Sequence, residues 1–331
     1  MNPPKCRAED YIQWLIASPK VASCTQAATS TPGFVAHDAY TRLLQRLEPE
    51  SETLWQEVKN LVSLDSGWLV LDDTTLDKHY AKKMELVTRH WSGKHHAVVQ
   101  GINLITLLWT DGDLAIPIDW RVFNKEKDQL SKNDHLWQML HTARQRGFQP
   151  TAVLWDSWYS SLKNLRLLRS FDWKFFVGLK SNRQVSYDKI GNHAVREVAM
   201  EAGHKHVHLK GYGWVELYKA SANTKEESWR YFIGTEPPKS NAQVQHLRET
   251  ANQIEVYHRG LKQECHVERC QARKERKQRN HIALAIRSFV RLEVHRYNTG
   301  ISRFEAKLSI FREAIRSYLK APLFTLPKST A

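Results

Sequence analysis

Two short apolar runs, each stopping at an aspartate, constrain this chain more than any other feature. Residues 68–71 (WLVL) give way at once to Asp72, Asp73, Thr74 and Thr75, and residues 151–155 (TAVLW) give way to Asp156 and Ser157. Apolar runs this short, bounded by polar residues, read as buried strands that deliver acids at their C-terminal ends. In α/β sheets the loops beyond those ends bring side chains from different strands together. Asp156 and one of the Asp72/Asp73 pair are therefore candidates for a shared site, whereas a lone aspartate more often caps a helix or sits in solvent.

The surrounding pattern supplies the rest of such a sheet. Residues 97–109 (AVVQGINLITLLW) read as a second strand and residues 114–122 (LAIPIDWRV) as a third. A helix is expected over residues 133–146, where Leu136, Met139, Leu140 and Ala143 share one face. Strands alternating with helices define an α/β class with a mixed sheet. Ahead of it, residues 1–66 form an all-helical region, with Tyr11, Trp14, Leu15 and later Leu43, Leu44 and Leu47 at helical spacing and a break around Pro32. The β-branched and aromatic text of residues 171–239 predicts a mostly β insertion. From Lys239 there is no proline until Pro322, and the chain becomes strongly helical. The expected organisation is a core over residues 67–170, the insertion over 171–239, the second part of the core over 240–320, and a loose tail over 321–331.

Charge narrows the partners. Among 331 residues, Lys and Arg number 49 against 35 Asp and Glu, leaving +14 and a pI near 9.6. Such an excess suits a polyanion, since neutralising phosphates releases condensed counterions. No apolar run approaches the roughly 20 residues that span a bilayer, and the start lacks the order of a secretion signal, so a cytoplasmic protein without membrane attachment is expected. Cys265, His266 and Cys270, beside His258 and His281, raise the question of zinc. No C-x-x-C pair is present, and free thiols with core or DNA-facing imidazoles are the better reading.

Carboxylates suit Mg²⁺ or Mn²⁺, and two such ions roughly 3.5 to 4 Å apart can serve in-line phosphoryl transfer. Two aspartates would hold the pair loosely, so a third acid is needed on an element that packs against the strand ends. Glu255 meets that need. It leads a stripe of Arg259, Lys262, His266, Arg269 and Arg273 along one helical face, beside the apolar stripe of Ile254, Tyr257, Leu261 and Cys265. The competing reading is an intrahelical pair of Glu255 with Arg259 on a solvated face.

With Asp-Asp-Thr-Thr after a strand, a second strand-end Asp, and IEVYHRGLK on a late helix, the chain resembles the RNase H-like DDE transposases of bacterial insertion sequences. More narrowly, it is similar to the cut-and-paste branch with a β-rich insertion between the second Asp and the Glu. The branch signature Tyr-x2-Arg-x3-Glu-x6-Lys falls with its Glu on Glu255 and its Lys on Lys262, while Ala251 and Arg248 replace its Arg and Tyr. The resemblance covers residues 67–310. It implies an RNase H-like mixed-sheet core and a metal-binding, catalytic triad of Asp72 or Asp73, Asp156 and Glu255, holding two Mg²⁺ or Mn²⁺ ions. It also implies DNA contacts from Lys262, Arg259, Arg269, Arg248, Lys180 and Arg183, and a Trp229 that either stacks on a flipped base or packs in the core.

The implied partners are terminal inverted repeats and target DNA, with a homodimer on the DNA. The N-terminal helices either pack against the core or help to recognise DNA ends. The rivals to a transposase are a nuclease or resolvase on the same fold and a non-catalytic DNA-binding descendant.

Overall fold

The computed structural model describes residues 4–20, 22–33, 35–92, 97–188, 191–200, 203–221, 229–237 and 240–324. Two compact units divide the chain: Met1–Pro49, Lys83–Glu85 and Arg259–Ala331 form one, Glu50–Lys82 and Leu86–His258 the other. Among the described residues the helices are α1 (Ala8–Ala17), α2 (Cys24–Ser30), α3 (His37–Arg46), α4 (Ser51–Val58), α5 (Lys125–Asp128), α6 (Lys132–Gln145), α7 (Leu162–Ser170), α8 (Asn241–Gln263), α9 (Glu275–Thr299) and α10 (Arg303–Lys320). The strands are β1 (Trp68–Asp77), β2 (Thr88–Ser92), β3 (Ala97–Thr110), β4 (Ala115–Phe123), β5 (Ala152–Trp155), β6 (Phe175–Leu179), β7 (Gln184–Val185), β8 (His193–Ala194), β9 (His204–Leu209), β10 (Gly213–Ser221) and β11 (Trp229–Gly234). None of the described helices is long and apolar enough to cross a membrane.

The second unit is a mixed α/β fold built on a nine-stranded sheet in the order β2-β3-β1-β5-β6-β11-β10-β9, with β4 also paired to β3. β3 is its longest strand, and Ile102, Leu104, Ile105, Leu107 and Leu108 along it are fully buried. Each such side chain contributes roughly 1.5–3 kcal/mol on leaving water. β1 runs antiparallel to β3 and parallel to β5, and β5 runs parallel to β6. Beyond β6 the sheet turns antiparallel through β11, β10 and β9, so the β-rich stretch continues the central sheet edge to edge.

β1 does not stop at its aspartates, as the apolar run suggested, but continues to Asp77. Its second half has β3 as partner, which hydrogen-bonds residues 72–77 after β5 has ended. Gly101 permits that close pairing, since a Cβ there would stand 2.5 Å from Thr75 Cγ2 and 2.7 Å from the Leu76 carbonyl.

α6 starts at a capping box in which Ser131 Oγ accepts from the Asp134 N–H (3.2 Å) and Asp134 accepts from the Ser131 N–H (2.9 Å). The helix buries Leu136, Met139, Leu140 and Ala143, the face expected from the sequence, and packs on β3 and β4. α4 belongs to this unit too and lies against β4. The helical residues 1–66 are thus shared between the two units.

The first unit is helical. α9 packs on α1 and α3, burying Ile282, Ile286 and Phe289 with Tyr11, Ile12, Leu15, Leu43 and Leu44. It ends at Gly300, whose φ of 72° is the left-handed conformation a helix C-terminus commonly needs. Buried polar side chains serve helix ends: Asn280 Nδ2 donates to the carbonyls of Leu44 (2.9 Å) and Leu47 (2.8 Å), and Lys307 Nζ to those of Leu15 (3.4 Å) and Ser18 (3.2 Å). His266 and His281 join the same interior, facing the Ser18 carbonyl (2.8 Å) and the Tyr11 hydroxyl (3.0 Å) respectively. Cys265 and Cys270 are buried free thiols.

Candidate active site

The register of the parallel strands brings two acids side by side. Leu71 pairs with Trp155, so the next residues along are neighbours, Asp72 still within β1 and Asp156 just past the end of β5. Successive side chains on a strand point to opposite faces, and here that alternation separates the two aspartates of β1. Asp72 lines a pocket with Asp156 and with Glu255 of α8, together with Arg230, Phe232 and Arg248. Asp73 points to the other face. There its carboxylate accepts hydrogen bonds from Asn103 Nδ2, Lys132 Nζ and the Tyr159 hydroxyl, each at 2.6 Å.

Of the two alternatives for the first acid, Asp72 shares a pocket with Asp156 and Glu255, and Asp73 is committed to a neutralising network. The physical reason is the pleat: α8 covers the face that carries Asp72, whereas Asp73 faces the start of α6. α8 is held on its face by the His246 ring against Trp68 (centroids 5.2 Å apart) and by Gln253 Nε2 donating to the Gly112 carbonyl (3.4 Å).

The electrostatics of the two aspartates are opposite. Burial, reinforced by the carboxylates of Asp73, Asp156 and Glu255, pushes the Asp72 carboxyl well above the usual carboxylate range. Burial also raises Asp156, against the Trp158 N–H that donates to its Oδ1 at 2.9 Å. For Asp73 burial works in the same direction, but the Lys132 ammonium and the Asn103 and Tyr159 hydrogen bonds outweigh it and hold the carboxyl below its ordinary value. Burial and the neighbouring carboxylates thus raise Asp72 and Asp156 in the pocket, while Asp73 on the other face is held down. Among the described residues no three Asp, Glu, His or Cys groups are drawn together closely enough to grip an ion between them.

The turn carrying Asp156 depends on a neighbour in β6. A Cβ on Gly178 would lie 2.6 Å from the Ser157 nitrogen and 3.1 Å from the Asp156 carbonyl carbon. Glycine therefore lets the turn settle on the strand, and Ser160 Oγ donates to the Gly178 carbonyl from the same turn.

A cleft continuing from the acids is lined by Lys180, Asn182, Arg196, Trp229 and Arg230. Trp229 is 47% exposed, with the Lys219 ammonium 4.1 Å from its ring centroid. Arg248 donates to Gln245 (3.2 Å), its guanidinium 6.0 Å from the Phe232 ring. Arg183 lines an adjoining groove. Lys262, Arg259 and Arg269 belong to the helical unit, where Lys262 pairs with Glu268 at 3.0 Å and the two arginines are exposed. Sequence reasoning missed Arg196, Arg230, Phe232, Gly178 and Lys132. Arg230 adjoins Trp229 in a strand, where a charged residue ordinarily reads as solvent-facing.

The chain belongs to the family of DDE superfamily endonucleases, which matches it over residues 5–231. Its fold is similar to that of a piggyBac transposase, solved by cryo-EM as a synaptic complex with hairpin DNA. The TM-score is 0.53 at 12% identity, over 96% of this chain and 73% of the other. No curated protein matches the sequence.

Proposed function

We propose that the chain is a DNA transposase of an insertion sequence, cleaving the element ends and joining them to target DNA. The observation that carries this reading is the convergence of Asp72, Asp156 and Glu255, from two parallel strands and a helix, on one pocket. The order β4-β3-β1-β5-β6, with β5 and β6 parallel to β1, is what an RNase H-like core requires, and the family is one of endonucleases.

The donor chemistry suits divalent metal, with the three acids lining one pocket without closing on a common point. All three are hard carboxylate oxygens, and burial together with the neighbouring carboxylates raises the Asp72 carboxyl, so a cation bound there would favour its ionised, ligating form. Asp72, Asp156 and Glu255 would hold two Mg²⁺ or Mn²⁺ ions, which when bound supply activation of the attacking oxygen and stabilisation of the leaving one. The protein's own groups bind and orient the DNA around that centre. Arg230, Arg248, Lys180 and Arg196 present positive charge to the phosphates on either side of the acids. Trp229 offers its exposed indole to a base displaced from the duplex. Lys262, Arg259 and Arg269, on the helical unit, contact the DNA backbone in their own right, and Arg183 does so beyond Lys180. Two element ends are handled by a DNA-bound homodimer, and the protein acts in the cytoplasm on the nucleoid.

The test uses DNA from the borders of the open reading frame, incubated with full-length protein in Mg²⁺ or EDTA. Metal-dependent nicking at the element ends and recovery of strand-transfer products on a plasmid target are expected. Glu255→Gln should reduce both by at least about a thousandfold, the scale of losing a group essential to transition-state charge stabilisation. Cleavage without joined products would leave a nuclease. Full activity of the Glu255→Gln protein would refute the triad.

A further inference from the structure

A second groove opens beside the acid-lined cleft on the sheet unit. Trp158, Leu179, Lys180, Arg183, Leu209 and Lys210 line it, with small polar residues between them. The two are continuous, because Ser157, Leu179, Lys180 and Asn182 line both. No carboxylate lines the groove. Lys180, Arg183 and Lys210 make no ion pair with any described acid. They converge from separate places, Lys180 and Arg183 from the turn after β6 and Lys210 from the turn between β9 and β10. Three unneutralised cations along one trough favour a polyanion.

One wall is the indole of Trp158, 47% exposed. Its position is fixed by the site next door. The Trp158 backbone N–H donates to Asp156 Oδ1 at 2.9 Å, and the Lys132 ammonium that serves Asp73 stands 5.2 Å from the ring centroid. In a duplex the bases present only their edges, so a protein aromatic stacks on a base face where the strand is unpaired.

The geometry points to this groove as the seat of a single-stranded DNA segment adjoining the scissile phosphate, with a base on Trp158 and its phosphates on Lys180, Arg183 and Lys210. The inference rests on the DNA-cutting function proposed above. It adds that the strand leaves the acids unpaired on this side.

The test is fluorescence anisotropy of the full-length protein in EDTA, with a labelled oligonucleotide of about 12 nucleotides and the matching duplex. Trp158→Ala should weaken single-strand binding about tenfold, Trp158→Phe should retain most of it, and duplex affinity should stay within about twofold. Arg183→Gln combined with Lys210→Gln should flatten the salt dependence, lowering the slope of log K against log salt by about 1.4, two contacts at about 0.7 each. Thermal melts report folding, and the Arg183/Lys210 pair carries the test alone if Trp158→Ala melts early. Unchanged single-strand affinity and salt slope, or equal losses for duplex and single strand, overturn the proposal. The metal-dependent cleavage assay separates the two readings: cutting with normal single-strand binding by the variants removes the groove alone. Selective loss of single-strand binding without any cutting by the unaltered protein removes the nuclease and keeps the groove.

Discussion

Neighbouring aspartates on one strand have unlike surroundings here, and they should respond to substitution with opposite signs. Asp72 has a folded pKa above its unfolded value, so the unfolded chain loses that proton first as pH rises. Stability therefore falls as pH climbs from the ordinary carboxylate range towards the folded pKa. Asp72→Asn should remove that slope and raise the melting temperature in EDTA at neutral pH, by about 2–4 °C per kcal/mol relieved. The same substitution should abolish metal-dependent cleavage, and melts between about pH 4 and 8 beside a cleavage assay check both halves.

Asp73 has a depressed pKa, and its contribution is present above the unfolded value and lost as pH falls through the folded one. Asp73→Asn leaves the Lys132 ammonium without its charge partner and should cost about 1–3 kcal/mol, read as a lower melting temperature. An Asp73→Asn protein that melts normally yet cannot cut would reverse the assignment and make Asp73 the metal ligand.

At the scale of elements, legibility followed the range of the interaction. The four-residue β5 and its terminal Asp156 were readable because the apolar run and its polar stop are local. α6 was readable through its buried face, whereas its Ser131 cap went unread. Which of Asp72 and Asp73 faces the pocket was not, since the pleat offers both faces and only the pairing with β5 and the docking of α8 distinguish them. The length of β1 was hidden for a related reason, because residues 72–77 are kept in the strand by β3. The joining of β9–β11 to the main sheet depends on a β11–β6 pairing between residues far apart in sequence, which no local pattern encodes. Gly178 shows how an element positions chemistry from outside it. Gly178→Ala puts a methyl into the Ser157 backbone, and should slow cleavage at least about tenfold, with a fall in melting temperature from overpacking of about 1–3 kcal/mol. Single-turnover cleavage and a melt on the same preparation would check it, and wild-type rates would show that the turn has room.

For the molecule as a whole, the excess of 49 basic over 35 acidic residues predicts DNA binding dominated by phosphate contacts. With about six phosphates neutralised, affinity for duplex ends should drop roughly a thousandfold between about 50 and 200 mM salt. A titration of the full chain on duplex DNA measures this, and a flat response would argue that the charge serves some other partner. The sheet that positions the acids is itself held together by strand pairing between residues distant in sequence. That pairing limits what can be trimmed. β11 hydrogen-bonds β6 along Phe176–Leu179, and β6 carries the glycine on which the Asp156 turn rests. Cutting out residues 204–234 to make a smaller nuclease would expose β6 as a raw, apolar edge ready to recruit other chains. The shortened protein should aggregate, and whatever stayed soluble should have lost its grip on the second aspartate.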